Sequence, residues 1–221
     1  MQHKFSETEL KEIARQLSCP DGENGIKTGE RMDTANGNMT HRAIETLSIA
    51  SNQQILEIGP GNGSHLAQLL NKAHNLHYTG IDISKTMVDE ASRINAEQIQ
   101  TGTATFLLTD GLHLNFKEES FDRVFTVNTV YFWGNPTEYI AEIYRILKTD
   151  GLFNLAFVQQ HSMEKLPFTQ YGFQLYTIEK ATNLLKSASF SIQNITNETE
   201  ELINNMESKI ERDFVIITAR K

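Results

Sequence analysis

The chain has 221 residues, a length that suits one domain with a small extension rather than two full domains. Hydrophobic residues make up 39% and charged residues 22%, which supports a packed core and argues against disorder. The formal net charge of −8 disfavours extended binding to nucleic-acid phosphates, and the single cysteine, Cys19, excludes both an internal disulfide framework and a multi-cysteine zinc site.

The segment Met1–Phe5 has no apolar region of the kind found in signal peptides. No apolar run approaches the roughly 20 residues that span a bilayer. We therefore expect a cytoplasmic protein without a membrane partner.

The N-terminal part of the chain predicts a helical extension interrupted by a loop. Ser6 and Glu9 have the spacing of a capping box, and the helix that they begin should end near Ser18. Residues 20–38 are rich in glycine and asparagine, which predicts a loop. A second helix should then begin near Met39.

From residue 54 onward, strand patterns alternate with helix patterns. This alternation is typical of βαβ units and a parallel sheet with helices on both faces. The expected strands are Gln54–Ile58, His77–Ile81, Thr105–Leu108, Phe121–Val127 and Leu152–Val158. The expected helices are Ser64–Lys72, a helix capped by Ser84 that buries Met87, Val88, Ala91 and Ile94, and Thr137–Leu147.

The C-terminal part predicts one more helix, beginning near Ile178, and two further strands, Phe190–Ile195 and Phe214–Ala219. Few residues separate these strands, too few for a crossover helix with its loops. We therefore expect them to form an antiparallel pair that closes the sheet.

Three glycines, Gly59, Gly61 and Gly63, follow the first expected strand and allow a tight turn close to a ligand. The dinucleotide fingerprint would place its third glycine one position later. In addition, Glu57 would place a negative charge beside a pyrophosphate. A carboxylate there suits a cationic ligand, such as a sulfonium or an ammonium group.

The motif Glu57-x-Gly59-x-Gly61-x-Gly63 resembles motif I of the class I S-adenosylmethionine (SAM)-dependent methyltransferases. In particular, it resembles the type 11, or ubiquinone-biosynthesis-like, small-molecule branch. Further matches occur in the family's order over roughly residues 52–160, which makes the resemblance specific. They are Asp82-Ile83, Thr109-Asp110-Gly111, Phe116 to Asp122, Asn128 to Trp133, and Arg145 to Lys148 followed by Gly151.

The resemblance implies SAM as cofactor, with S-adenosylhomocysteine as product. It implies a Rossmann-like, doubly wound α/β sheet of seven strands with an antiparallel C-terminal strand. By the same resemblance, Asp82 would hold the ribose hydroxyls, Asp110 would read the adenine amino group and Asn128 would meet the methionine moiety. The full set of expected cofactor-binding residues is Glu57, Gly59, Gly61, Asn62, Asp82, Ile83, Asp110, Gly111 and Asn128.

In such enzymes the segment outside the shared core supplies the substrate cap. The resemblance therefore implies a helical cap or lid extension at residues 1–50 and a SAM-binding methyltransferase domain at residues 51–221. Residues 20–40 are expected to act as a mobile lid over the acceptor.

Methyl transfer from a sulfonium is an in-line displacement that depends on proximity and alignment, so it requires no fixed catalytic residue. The weak candidates for a catalytic group are His41, His161 and Tyr131. His113 is a candidate for a position near the adenine, and no metal ligand is expected. Further expectations are a cavity position for Phe132, Trp133 and Met32, and a surface position for His65, His74 and His77.

The leading hypothesis is a SAM-dependent methyltransferase that acts on a small molecule. The alternatives are a non-enzymatic SAM-binding or regulatory protein, a protein methyltransferase and a nicotinamide-dependent oxidoreductase. A nucleic-acid amino methyltransferase is a further alternative, but residues 128–131 lack the two prolines of that group. The sequence leaves the acceptor, its atom and the oligomeric state open.

Overall fold

A computed structural model describes residues 5–203 and 209–221, so the first four residues of the expected cap lie outside the described residues. The strands are β1 (Gln54–Ile58), β2 (His77–Asp82), β3 (Ala104–Leu108), β4 (Phe121–Val127), β5 (Leu147–Val158), β6 (Ser191–Ile203) and β7 (Lys209–Arg220). The helices are α1 (Glu7–Ser18), α2 (Gly22–Thr46), α3 (Leu66–Leu70), α4 (Lys85–Ile94), α5 (Ala96–Gln100), α6 (Pro136–Ile146), α7 (Gln160–Met163) and α8 (Ile178–Ser187). Short 3₁₀ helices lie at Val130–Phe132 and Pro167–Gln170.

The strands form one seven-stranded sheet in the order β3-β2-β1-β4-β5-β7-β6. The first five strands pair in parallel, whereas β7 is antiparallel to both β5 and β6. The predicted doubly wound α/β sheet with an antiparallel closing pair is therefore confirmed. The order reverses at β1, so the ends of β1, β2 and β4 meet at the position where open α/β sheets bind ligands.

Helix α1 begins and ends as its sequence predicts. The Glu9 backbone N–H donates to Ser6 Oγ at 3.3 Å, and the Ser6 backbone N–H donates to Glu9 Oε2 at 2.7 Å. These reciprocal bonds satisfy donors that the first turn leaves free. The helix ends at Ser18, two residues before Pro20.

The prediction of a loop at residues 20–38 is wrong, because helix α2 runs without a break through this segment. Its glycines allow close packing. A Cβ atom on Gly25 would lie 2.7 Å from the Pro20 carbonyl carbon, and one on Gly29 would lie 2.8 Å from Met87 Sδ. Helix propensity is a weak preference, and tertiary contacts of this kind override it.

The C-terminal half of α2 is fixed to the sheet by polar contacts. The buried Asn154 side chain on β5 donates to the Ala43 carbonyl at 2.8 Å and to Thr46 Oγ1 at 2.9 Å. Arg42 pairs with Glu198 on β6, with 2.6 Å between Nη2 and Oε1. The C-terminal half of α2 is therefore fixed to the sheet, whereas the expected movement of residues 20–40 as a lid stays a prediction.

Smaller differences from the predictions concern the lengths of three elements and the buried face of helix α4. Helix α3 covers only the middle of the expected Ser64–Lys72 helix, and β6 and β7 are longer than predicted. Ile94 is 40% exposed, so it does not belong to the buried face of α4. Bounds of this kind depend on neighbouring elements, which a periodic pattern does not describe.

The core lies on both faces of the sheet. Fully buried side chains such as Leu56, Phe125 and Phe157 come from its central strands. Burial of each large apolar side chain contributes about 1.5–3 kcal/mol, which holds the strand ends in fixed positions. Among the helices of the described residues, none combines the length and the apolar character needed to cross a bilayer.

Candidate functional site

The turn after β1 contains three glycines with left-handed backbones: φ is +73° at Gly59, +58° at Gly61 and +64° at Gly63. A Cβ atom on Gly59 would lie 2.4 Å from Thr129 Cγ2, so this glycine is required for packing. At Gly61 the same atom would meet nothing within 4 Å and would point into open space. Gly61 therefore gives the backbone an open approach to the cavity described below.

The acid of this motif, Glu57, is 2% exposed and lies against two partners within the chain. Tyr78 donates its hydroxyl to Glu57 Oε2 at 2.5 Å, and His65 Nε2 lies 2.7 Å from the same oxygen. The expectation of a surface position for His65 is therefore wrong. A cationic ligand that contacts Glu57, as expected from the sequence, would have to share its carboxylate with Tyr78 and His65.

The electrostatics of this buried group follow from its partners. Burial opposes charge on His65, but attraction to Glu57 and the bond to it outweigh that effect and raise the pKa of His65. Burial, followed by the negative charge of Glu57, raises the pKa of Tyr78 well above its usual value. Tyr78 is therefore a neutral donor, and its bond helps to satisfy a buried charge.

Asp82 ends β2 and lies next to the glycine turn. Its Oδ1 accepts the Ser84 backbone N–H at 2.8 Å, and its Oδ2 accepts the Gly61 backbone N–H at 3.3 Å. Burial raises the pKa of Asp82 to about 6, although both backbone bonds oppose the shift. Asp82 therefore joins the ends of β1 and β2 and lines the large cavity with Ile83.

Asp110 follows β3, on the other side of β2. Its carboxylate accepts backbone N–H groups from Leu112 at 2.8 Å and His113 at 2.9 Å, and it lies 3.0 Å from His113 Nδ1. The bond to the His113 side chain, followed by the two backbone bonds, lowers the pKa of Asp110. Asp110 and Gly111 both line the cavity.

Asn128 ends β4 with a left-handed backbone, at φ +59°. Its Oδ1 accepts the Val158 backbone N–H at 3.1 Å and the Tyr131 hydroxyl at 3.0 Å, and its Nδ2 donates to Asn36 Oδ1 at 3.1 Å. One amide side chain thus joins the ends of β4 and β5 to helix α2. Burial raises the pKa of Tyr131, which makes this side chain a hydroxyl donor rather than a base near neutral pH.

These strand ends border one cavity of about 790 Å³. The acids Asp82 and Asp110 lie at one part of its wall. Helices α1 and α2 form another part, and a group of aromatic side chains forms a third. Its lining residues include Ile13, Leu17, Lys27, Arg31, Met32, Asn36, Gly59, Gly61, Asp82, Ile83, Asp110, Gly111, Leu112, Asn128, Tyr131, Phe132, Trp133, Met163, Leu166, Phe168, Phe173 and Arg212.

The structure does not bring two of the three catalytic candidates into this cavity. His41 is exposed and bonds to Gln68, and His161 Nε2 lies 2.6 Å from Asp213 Oδ2 at the surface. Only Tyr131 lines the cavity, and no histidine is among the described residues that do so. The expected cofactor residues Glu57 and Asn62 instead line a small recess beside the glycine turn.

Three residues of the site were not predicted from the sequence. Asp33 on α2 accepts the Ser64 hydroxyl at 2.5 Å, which joins the helix to the glycine turn. Arg212 donates to the Ala35 carbonyl at 2.6 Å and pairs with Glu200 at 2.6 Å. With Asn36, these contacts place α2 beside the cavity, and no local sequence signal marks them because residues 20–38 have the composition of a loop.

Comparison with known proteins gives the family. Residues 56–155 match a type 11 family model described as a methyltransferase domain. An O-methyltransferase from Aspergillus sclerotiorum is 28% identical over 127 residues, which cover 58% of this chain and 48% of that protein. An uncharacterized methyltransferase from Bacillus subtilis is 32% identical over 127 residues, which cover 56% of this chain and 66% of that protein. The chain therefore spans about half to two thirds of the length of these relatives.

Solved structures share the fold at low identity. A chain from a Haloferax volcanii complex of a methyltransferase activator and a methyltransferase has a TM-score of 0.78 and 15% identity, covering 94% of this chain and 96% of that one. A Haemonchus contortus phosphoethanolamine N-methyltransferase, solved with phosphomonomethylethanolamine and S-adenosylhomocysteine, has a TM-score of 0.70 and 16% identity, covering 95% of this chain and 60% of that one. The sequence match therefore assigns residues 56–155 to the type 11 methyltransferase domain family, and the solved structures show that the chain has the fold of these methyltransferases.

Proposed function

We propose that this protein transfers a methyl group from SAM to a small-molecule acceptor held in the large cavity. The proposal rests on one observation: a single cavity is lined both by acids at strand ends and by aromatic side chains. Asp82 and Asp110 lie at the ends of adjacent parallel strands, and a wall of aromatic side chains lies in the same cavity. Such a cavity has room for a nucleoside cofactor and a second small molecule together.

The donor set of the cavity fits the cofactor. The Asp82 carboxylate is an acceptor for vicinal ribose hydroxyls, and Ile83 and Leu112 offer apolar surface to a planar base. The amino group of the adenine could donate a hydrogen bond to Asp110. The open space at Gly61 could admit the methionine part of the cofactor. When bound, SAM would supply an activated methyl group on a sulfonium.

In the proposed in-line transfer, the role of the protein is to position the methyl acceptor and to exclude water. The described residues that line the cavity include no histidine, so we propose that orientation rather than a histidine base supplies most of the acceleration. Correct placement alone is worth roughly 7–11 kcal/mol. Tyr131 and Asn128 would orient the acceptor through the polar network at the end of β4.

We also propose the division into a cap at residues 1–50 and a methyltransferase domain at residues 51–221. Support comes from α1 and α2, which precede β1 and contribute Leu17, Met32 and Asn36 to the cavity wall. A macromolecular acceptor would need an open groove, whereas these helices close part of the cavity. The net charge of −8 also disfavours a nucleic acid.

The proposal is tested by calorimetry with S-adenosylhomocysteine. We expect the wild-type chain to bind it and an Asp82→Asn variant to bind about 10- to 100-fold more weakly, since hydrogen bonds to a charged group contribute about 1.5–3 kcal/mol. The matched control is Asp89→Asn, which changes an exposed carboxylate on α4 that pairs with Lys85. Equal affinity of all three proteins would refute the assignment of the site.

A second measurement separates an enzyme from a protein that only binds the cofactor. Cell extract depleted of macromolecules is incubated with the protein and SAM that carries a labelled methyl group. We expect label in low-molecular-weight products, and less of it with Asp82→Asn. Binding of S-adenosylhomocysteine without any labelled product would favour the non-enzymatic alternative.

A further inference from the structure

We infer that the acceptor is an anion with an apolar, aromatic-sized body, and that Lys27 and Arg31 recognise its negative group. The inference rests on the proposed function, because it names the substrate class of the same cavity. It is argued from the two walls that the acids do not occupy, one apolar and one cationic.

The apolar wall is a continuous aromatic cluster. The ring centroids of Phe132 and Phe173 lie 4.6 Å apart in an edge-to-face arrangement. Tyr131 lies 5.8 Å from Phe173, and Phe168 also lies 5.8 Å from it. Leu166 extends this surface. Faces and edges of rings favour flat or apolar ligands, so this wall suits the body of the acceptor.

The cationic wall is provided by α2. Lys27 and Arg31 are four residues apart, so their side chains lie on the same side of the helix. Both side chains line the cavity and both are exposed, which places them at its rim. Within the described residues neither makes a hydrogen bond or an ion pair, so both positive charges are available to a ligand.

Other charged side chains of the cavity differ from this pair. Arg212 is bound to Glu200, and Glu12 on α1 is bound to Arg15. Of the cations that line the cavity, Lys27 and Arg31 are the two that make no ion pair with an acid of the described residues. Such a local positive field attracts anions to the opening of a cavity.

The negative group has two possible sources, the acceptor and the carboxylate of the cofactor itself. We assign it to the acceptor because Lys27 and Arg31 stand at the exposed rim. The floor, where the cofactor is proposed to lie, is formed by the strand ends that carry the buried Asp82 and the half-buried Asn128. The experiment below distinguishes these sources directly.

The test uses the full chain saturated with S-adenosylhomocysteine and two matched probes, phenylbutyrate and phenylbutanol. The probes share an aromatic body and differ in a carboxylate against a hydroxyl group. Binding is followed by calorimetry and by the fluorescence of Trp133, the only tryptophan of the chain, which lines the cavity. We expect phenylbutyrate to bind about three- to tenfold more tightly, as exposed ion pairs allow.

The double variant Lys27→Gln/Arg31→Gln should lose this preference while keeping its affinity for phenylbutanol. Its control, Lys117→Gln/Lys186→Gln, removes two exposed positive charges outside the cavity and should retain the preference. A wild-type protein without preference, or a preference that survives in the cavity variant, would overturn the inference.

Affinity for S-adenosylhomocysteine is measured on the same variants. If Lys27→Gln/Arg31→Gln weakens that affinity but not the preference for phenylbutyrate, the pair serves the cofactor carboxylate and the inference is overturned. If the wild-type protein does not bind S-adenosylhomocysteine at all, the proposed function fails. The probe comparison without cofactor then decides only whether Lys27 and Arg31 recognise an anion, and the assignment of the methyl acceptor fails with the proposed function.

Discussion

His65 and Glu57 form a charge-pairing contact beneath the glycine turn, with 2.7 Å between Nε2 and Oε2. The histidine follows the turn at the start of α3, and the glutamate precedes it on β1. The contact therefore joins the residues that precede and follow the glycine turn. Since Tyr78 on β2 donates to the same carboxylate, three elements meet at one buried oxygen.

This contact predicts a pH dependence of stability. The folded-state pKa of His65 is raised, so its contribution is fully present below the unfolded pKa of about 6.5 and is lost as pH rises through the folded value. We expect His65→Gln to lower the free energy of unfolding by about 1.5–3 kcal/mol on the acid side. The deficit should shrink in alkaline buffer.

Urea unfolding at several pH values measures this effect. The control is His74→Gln, which removes an exposed imidazole that lies beyond α3. A deficit for His65→Gln that stays constant across the pH range, or that grows as pH rises, would contradict the assigned direction of the shift.

Asp82 predicts a pH dependence of cofactor affinity. Its pKa is raised to about 6, so the carboxylate gains a proton as pH falls through that value and loses its charge. Affinity for S-adenosylhomocysteine should then fall by up to about tenfold per pH unit below this midpoint. Calorimetry from neutral to mildly acidic pH gives the midpoint, and Asp82→Asn should show a flat profile over the same range.

Two glycines of the turn should respond differently to alanine. Gly59→Ala should cost about 2–5 kcal/mol of stability, because the new methyl group meets Thr129 in addition to the left-handed strain. Gly61→Ala should cost only about 1–2 kcal/mol, since its methyl group points into open space. That methyl group should nevertheless weaken binding of S-adenosylhomocysteine at least about tenfold.

The steric part of this prediction has its own control. Thr129→Ser removes the methyl group that Gly59→Ala would meet and keeps the hydroxyl that accepts from Trp133. In thermal unfolding, the double variant Gly59→Ala/Thr129→Ser should be more stable than Gly59→Ala alone. No recovery would mean that the contact with Thr129 is not what requires a glycine at this position.

Helix α2 gives a fourth prediction, again with a matched pair. Gly37→Ala should raise the free energy of unfolding by about 0.5–1 kcal/mol, since the position is exposed, helical and free of neighbours within 4 Å. Gly25→Ala should lower it, because the Pro20 backbone lies 2.7 Å from the new atom. Equal stabilisation by both changes would show that α2 does not pack against the preceding turn as described.

The sheet and its order of elements were predictable from the sequence because they depend on local patterns. Strands β1 and β4 have the predicted bounds, since each is a short stretch rich in apolar residues that lies between turn residues. The expected cofactor roles of Asp82 and Asp110 come instead from the resemblance to the methyltransferase family, and they stay predictions. Parallel strands end at one edge of a sheet, so their order along the chain also predicts their proximity.

The rest depends on distant contacts that no local pattern reveals. The glycines of α2 indicate a loop until Pro20 and Met87 are seen beside them. His65 has the spacing of a surface residue, and only the fold places it against Glu57. The cationic rim and the aromatic wall likewise combine residues such as Arg31 and Phe173, which are far apart in sequence.

Helix α2 also has a consequence for how the molecule is made. Its contacts with Glu200 and Arg212 join residues 162 and 177 positions apart, through Asn38 and Ala35 respectively. During synthesis the N-terminal wall of the cavity must therefore wait for the last strands to emerge before it is fixed in place. Loop closure over such distances is slow compared with local helix formation. This part of the cavity wall is thus complete only after β6 and β7 have been made, although the glycine motif precedes both strands along the chain.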